Sequence, residues 1–182
     1  PNFIFLTLFL LSVSVFLIHY AVVGNGVWGD GRYYYSFLRS LVIDGDIHFA
    51  NEAAFFHFEP LKTVTGMVAN KFSIAPAILW APFFIFAHSI TLILQGIGLG
   101  VTPDGYRHLY QLSVGIGSVA YGVGGLWFCF AVLKKYFSFR TSVISLLGLF
   151  FASNLFFYVA VDPINSHSVS FFISSLLLYY FQ

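Results

Sequence analysis

Asp30 stands immediately before the run GRYYYSFLRSLVI, and a carboxylate held there could do one of two things. Within residues 31–43, Tyr34, Phe37, Leu38 and Leu41 fall at i, i+3, i+4 and i+7, while Arg32, Ser36 and Arg39 take the opposite side. That spacing predicts an amphipathic helix lying on a membrane surface. Asp30 is at its N-cap and Gly45 just past its end, so one account of Asp30 is a cap worth about 1 kcal/mol. The other is a general base at the membrane surface, able to take the proton of an acceptor hydroxyl. Arg32, Arg39 and Lys71 have an ordinary account as headgroup-contacting, snorkelling cations. His167 follows Asp162 by five positions and shares its connection. The remaining histidines point to no cofactor: a tetrapyrrole ligand belongs at mid-depth of a crossing helix, and only His88 approaches that position. Cys129 is the single cysteine, so there is neither an intrachain disulfide nor a Cys-rich metal site, and the sequence singles out no metal ligand.

The elements that must hold these residues are set by composition. Of 182 residues 59% are hydrophobic and 8% charged, against about 25% charged in a water-soluble domain. The formal charge of +1 provides no electrostatic footprint for nucleic acid. The expected class is an all-α, polytopic transmembrane helical bundle. Residues 3–23 hold no charge over 21 positions, enough at about 1.5 Å per residue to span a hydrocarbon core of roughly 30 Å. Residues 24–73 carry nine of the fifteen charges and form the external loop that contains the amphipathic helix. Further apolar runs cover 74–99, 109–133, 141–161 and 168–182, the last short of a full crossing, as expected of an N-terminal portion of a longer chain. No repeat or linker divides the chain, so 1–182 reads as one transmembrane domain.

Orientation follows from the basic residues. Lys134, Lys135 and Arg140 flank a short connection that the positive-inside rule puts in the cytoplasm, whereas the long loop, with five acids and four bases, is better placed outside. Both cannot hold if 74–99 and 109–133 each cross. The weaker crossing is 74–99, where Pro76 and Pro82 interrupt the first half and Gly96, Gly98 and Gly100 the end. It is expected to be re-entrant or interfacial in the outer leaflet, which returns the Asp162 connection to the same side as the long loop. In 109–133, Ser113/Gly117, Ser118/Gly122 and Ala120/Gly124 stand four apart and suit close helix approach.

Asp30, Tyr34 four on, Arg39 nine on and Gly45-Asp46 beyond it resemble the first external loop of C-type glycosyltransferases, in the branch of the protein O-mannosyltransferases and aminoarabinose transferases. Val161-Asp162-Pro163 is similar to that family's Leu-Asp-Pro element, and Lys71 is similar in placement to a lysine that contacts the lipid phosphate. The position after Asp30 is Gly31, where many members have a second acid, which leaves open the substrate class and any divalent metal tied to that acidic pair.

The resemblance implies transfer of a sugar, with inversion, from a polyprenyl-phosphate carrier to a hydroxyl acceptor on the outer face of the plasma (inner) membrane. Asp30 would be the base and Asp162 would orient the acceptor or hold a cation. Lys71, Arg32 and Arg39 would meet the phosphate, with Tyr34 and His167 also lining the substrate site. Expected partners are the polyprenyl-phosphate-linked sugar, membrane lipid and other membrane subunits. Two other classes fit the same residues: a non-catalytic subunit that keeps the fold, and a transporter fragment, for which paired broken helices are expected.

Overall fold

The first apolar run forms helix α1 (Asn2–Val23) in the computed structural model, which describes residues 2–59 and 61–182. Eight further elements of regular helix or strand follow among the described residues: α2 (Gly31–Arg39), α3 (Ala50–Phe56), β1 (Leu61–Lys62), β2 (Val68–Ala69), α4 (Ala75–Gly96), α5 (His108–Tyr136), α6 (Phe139–Phe151) and α7 (Ser166–Tyr180). α1, α4 and α5 are long and apolar enough to cross a membrane, in agreement with a membrane protein. The chain divides into two compact units, one of residues 2–24 and 115–182 and one of Asn25–Val114.

In the first unit α1 buries one stripe, Phe5, Leu8, Ser12, Phe16 and Tyr20, and leaves Phe3, Leu6, Ile18 and Val22 exposed on its other side. An apolar helix that buries only a stripe leaves a wide apolar face open, as is consistent with a membrane protein. Phe5 and Leu8 of this stripe cluster with Val119, Val123, Leu126 and Phe130 of α5, Leu146 and Phe150 of α6, and Val159. Glycines allow the close approach: a Cβ on Gly122 would lie 2.6 Å from Val159 and one on Gly125 2.6 Å from Phe171, with Phe172 Cα at 3.1 Å. Of the small residues expected to allow close approach, Gly122 meets Val159 and Gly124 meets Phe172, where an added Cβ would lie 3.1 Å from its ring.

The run 141–161 is not the single helix its composition suggests. α6 ends at Phe151, residues 152–154 leave the helix, and a π-helical turn follows over Phe157–Val161. Ser153 and Asn154 explain the break, since short polar side chains offer the backbone bonds that compete with a helix. Ser153 Oγ accepts from Leu155 N at 3.2 Å and donates to Leu149 O at 2.6 Å. α7 starts two residues earlier than expected because the Asn165 side chain caps it, accepting from Ser166 N at 2.8 Å.

In the second unit α2 passes into a π-helical turn, Ser40–Asp44, that Gly45 ends at φ +72°, a left-handed conformation natural to glycine. α2 presents a different face to the interior from the one its periodicity predicts. Tyr35, Ser36, Leu38 and Arg39 are buried, while Leu41 is 44% exposed. Arg39 is inside because acidic partners wait for it there, as described below, whereas Arg32 stays half-buried at the edge. α3 and the antiparallel β1–β2 pair, with Leu61 opposite Ala69 and Lys62 opposite Val68, add elements to a loop whose periodicity shows neither.

α4 is not interrupted at its prolines as expected. Pro76 sits in its first turn, where the missing N–H costs nothing, and Pro82 lies within an unbroken 22-residue helix. The helix buries Pro76, Ala77, Trp80, Phe84, Ala87 and Thr91, and Ser113 Oγ donates to Phe83 O at 2.8 Å. Single cysteines at Thr65 and Thr102, in a Cys129→Ser background, report on whether α4 crosses. Both residues are exposed, and labelling of both from one side of sealed vesicles is the outcome expected of a non-crossing α4. Labelling from opposite sides would make α4 a full span.

Candidate functional site

The first turn of α2 brings together several of the residues that sequence alone singles out. Asp30 occupies the N-cap position with φ −71° and ψ −21°, its side chain makes no capping hydrogen bond, and it is exposed. An N-cap side chain reaches the N2 or N3 amide from extended backbone, and a helical Asp30 does not. The cap account of this carboxylate thus has no bond to rest on.

Asn70 anchors the distant side of the site by donating from Nδ2 to Tyr33 O at 2.6 Å and accepting from Phe72 N at 3.1 Å. Lys71, between them, is thereby held with its Nζ 5.7 Å from the Tyr33 ring centre and 5.3 Å from that of Phe72. The two rings stack at 4.7 Å, Phe58 joins Tyr33 at 4.5 Å, and Tyr34 meets Phe72 edge-on at 5.0 Å. An exposed ammonium over aromatic faces is attracted by the ring quadrupoles and keeps N–H groups available to an anion. The surface therefore offers a carboxylate, an ammonium and an aromatic platform on and beside one helical turn.

Arg32 borders this surface but is partly spent. Its Nε donates to Gly29 O and its Nη1 to Phe56 O, each at 3.0 Å, tying the end of α3 to the start of α2. Arg39 is committed wholly elsewhere. Its Nη1 pairs with Asp44 and, at 2.7 Å, with Glu52 Oε1, its Nε donates to Asp104 O at 3.0 Å, and its guanidinium lies 4.4 Å from the centre of the Tyr106 ring. The expectation that Arg39 meets a lipid phosphate gives way to an internal ion cluster, because Glu52 is 0% exposed and needs a cation in reach. Burial pushes the Glu52 carboxyl above its ordinary pKa, against the pull of the Arg39 hydrogen bond. Burial likewise raises the Tyr106 phenol, with Glu52 adding to the shift. Asp46 behaves differently: the His48 N–H and the Ser40 hydroxyl both donate to it and hold its carboxyl below the usual range.

Sequence reasoning missed Glu52, Asp44 and Tyr106. The signal present was Glu52 itself, a lone charge inside ANEAAFF, where an unpartnered carboxylate has no reason to sit.

Asp162 and His167 belong to the first unit. Asp162 is 3% exposed, and its Oδ2 accepts from Asn165 Nδ2 at 3.1 Å. Ser118 Oγ donates to the neighbouring Pro163 carbonyl. These bonds fold the connection into the turn that starts α7. His167 is exposed and stacks on Tyr158 at 3.8 Å, lining an open groove of about 630 Å³ with Ser153, Asn154 and Phe171. His88 is satisfied by the Tyr110 hydroxyl at 2.8 Å. Among the described residues no group of three His, Cys, Asp or Glu side chains could hold a metal ion.

No family model matches this chain, and no curated protein or solved structure matches it significantly.

Proposed function

We propose that this chain belongs to a polytopic membrane glycosyltransferase. It would move a sugar from a polyprenyl-phosphate carrier to a hydroxyl acceptor, with its loop helix and site on the outer face. The observation that carries the reading is the placement of Lys71 over Tyr33 and Phe72, beside the turn that an exposed, non-capping Asp30 begins. As the acceptor oxygen attacks the anomeric carbon from the face opposite the leaving group, Asp30 takes the hydroxyl proton. The bond from the anomeric carbon to the carrier oxygen breaks, its electron pair stays on the phosphate, and Lys71 balances the added charge. The aromatic faces around Lys71 suit a sugar ring or an isoprenoid unit. Arg32 fixes the approach of α3 and contributes its remaining N–H groups at the edge.

Lys71→Ala in the full-length protein is expected to weaken binding of the polyprenyl-phosphate carrier about ten-fold or more, as the loss of a charge-assisted hydrogen bond does. Lys71→Arg should recover part of the affinity, with charge restored and geometry altered. Carrier affinity unchanged in the alanine variant would leave Lys71 as a surface cation and remove the phosphate from this site.

A further inference from the structure

The corner between α4 and α5 holds a cavity that the transfer site does not use. α4 stops at Gly96, the chain turns through Gly98 and Gly100 at φ +83° and +52°, and α5 starts at His108. The turn leaves a cavity of about 300 Å³ whose lining, among the described residues, includes Thr91, Gly100, Thr102, Arg107 and His108, and no acidic residue. The Arg107 side chain is 67% exposed, and its ion pair, from Nε to Asp104 Oδ2 at 3.2 Å, engages one of its five N–H groups. Asp104 is fixed in turn, since its Oδ1 accepts from Tyr106 N at 2.8 Å and its carbonyl from Arg39. Arg107 thus works from a rigid base.

Tyr110 N and Gln111 N both point to the Arg107 carbonyl, so the guanidinium stands at the positive end of a 29-residue helix. A guanidinium, an imidazole and the Thr102 hydroxyl around one cavity match the charge and acceptor geometry of a phosphate group. The neighbouring surface decides which phosphate. Leu92, Ile93, Ile97 and Leu99 are 47–68% exposed beside it, at the end of a helix long and apolar enough to cross a membrane. A free ion has no use for that apolar shoulder, whereas an acyl chain does.

We infer that the α4–α5 corner is a binding site for the phosphate headgroup of an anionic phospholipid, with Arg107 as its cationic ligand, Thr102 and His108 lining the cavity beside it, and the exposed end of α4 as the seat of an acyl chain. No residue of the Asp30 and Lys71 surface takes part, so the site stands whether or not the protein transfers sugar.

The test uses the full chain in nanodiscs of phosphatidylcholine with a small fraction of phosphatidylglycerol, and counts retained lipid by native mass spectrometry. The parent is expected to retain phosphatidylglycerol over phosphatidylcholine, and Arg107→Gln should reduce that retention about ten-fold. Arg107→Lys should restore part of it, which separates lost charge from lost structure. Lys71→Ala should leave retention unchanged, and millimolar inorganic phosphate should not displace the lipid. Equal retention of both lipids by the parent, or full retention by Arg107→Gln, would overturn the proposal. Displacement by inorganic phosphate would do so too, making the corner a free-anion site, and loss in Lys71→Ala alone would move the lipid to the other surface.

Discussion

Asp30→Asn in the full-length protein is expected to lower sugar transfer by about 10²- to 10⁴-fold, the contribution of a positioned acid–base group, while carrier binding and α2 remain intact. The substitution is informative because of what Asp30 does not do. Its side chain makes no capping bond in the helical conformation it adopts, and asparagine is as good an N-cap residue as aspartate, so neither the start of α2 nor the Arg32 bond to Gly29 O depends on the charge. Only the proton-accepting carboxylate is lost. Transfer from a polyprenyl-phosphate sugar to a hydroxyl acceptor is read beside carrier affinity and the far-ultraviolet dichroism of the variant. Parental transfer rates in Asp30→Asn would remove Asp30 from catalysis even with carrier binding unchanged.

Removing one partner of the Arg39 and Glu52 pair should have the largest effect on stability. Arg39→Ala strips Glu52, 0% exposed, of the cation that bonds it, and Glu52→Ala leaves the guanidinium with Asp44 as its remaining ion-pair partner. Each is expected to cost about 3–5 kcal/mol, the usual penalty for breaking a buried pair. Glu52→Gln should cost less, since an amide oxygen still accepts from Arg39, no carboxylate is buried at this position and the guanidinium keeps Asp44. The comparison carries a pH signature. Burial raises the Glu52 carboxyl in the folded protein, so the folded state binds more protons than the unfolded chain between the ordinary glutamate pKa and the raised one. The parent's stability, measured against Glu52→Gln, should therefore fall as pH rises through that window. A difference independent of pH would show that the carboxyl is not shifted, and a difference that grows in the parent's favour would reverse the sign argued here. Thermal unfolding of the detergent-solubilised protein at several pH values supplies both readings.

The placement of Arg39 shows how a helical pattern misleads when the spacing of apolar residues is the only guide. Residues 31–43 do form helix where the period says, starting after Asp30 and ending at Gly45, because these signals act within a few residues. Which side faces inward was decided by Glu52, 13 residues on, and by the Asp104 carbonyl, 65 residues on. The exposed Leu41 and buried Arg39 are the consequence, with Tyr106 filling the space over the guanidinium. Lys71 and Tyr33 are a similar case, joined through an Asn70 hydrogen bond that bridges 37 positions.

Elements whose free energy is local were legible in the chain before any contact was known. Uncharged runs long enough to span hydrocarbon became α1, α4 and α5, glycines at positions 96–100 ended α4, and glycines in α5 allowed Val159 and Phe171 to close on its backbone. Long-range packing accounts for what those signals left open. It kept α4 continuous through Pro82, turned Arg39 of α2 inward and set Lys71 beside the helical turn of Asp30. A charge or a proline is tolerated or refused according to the groups that meet it, and those groups come from chain segments whose approach no local period records.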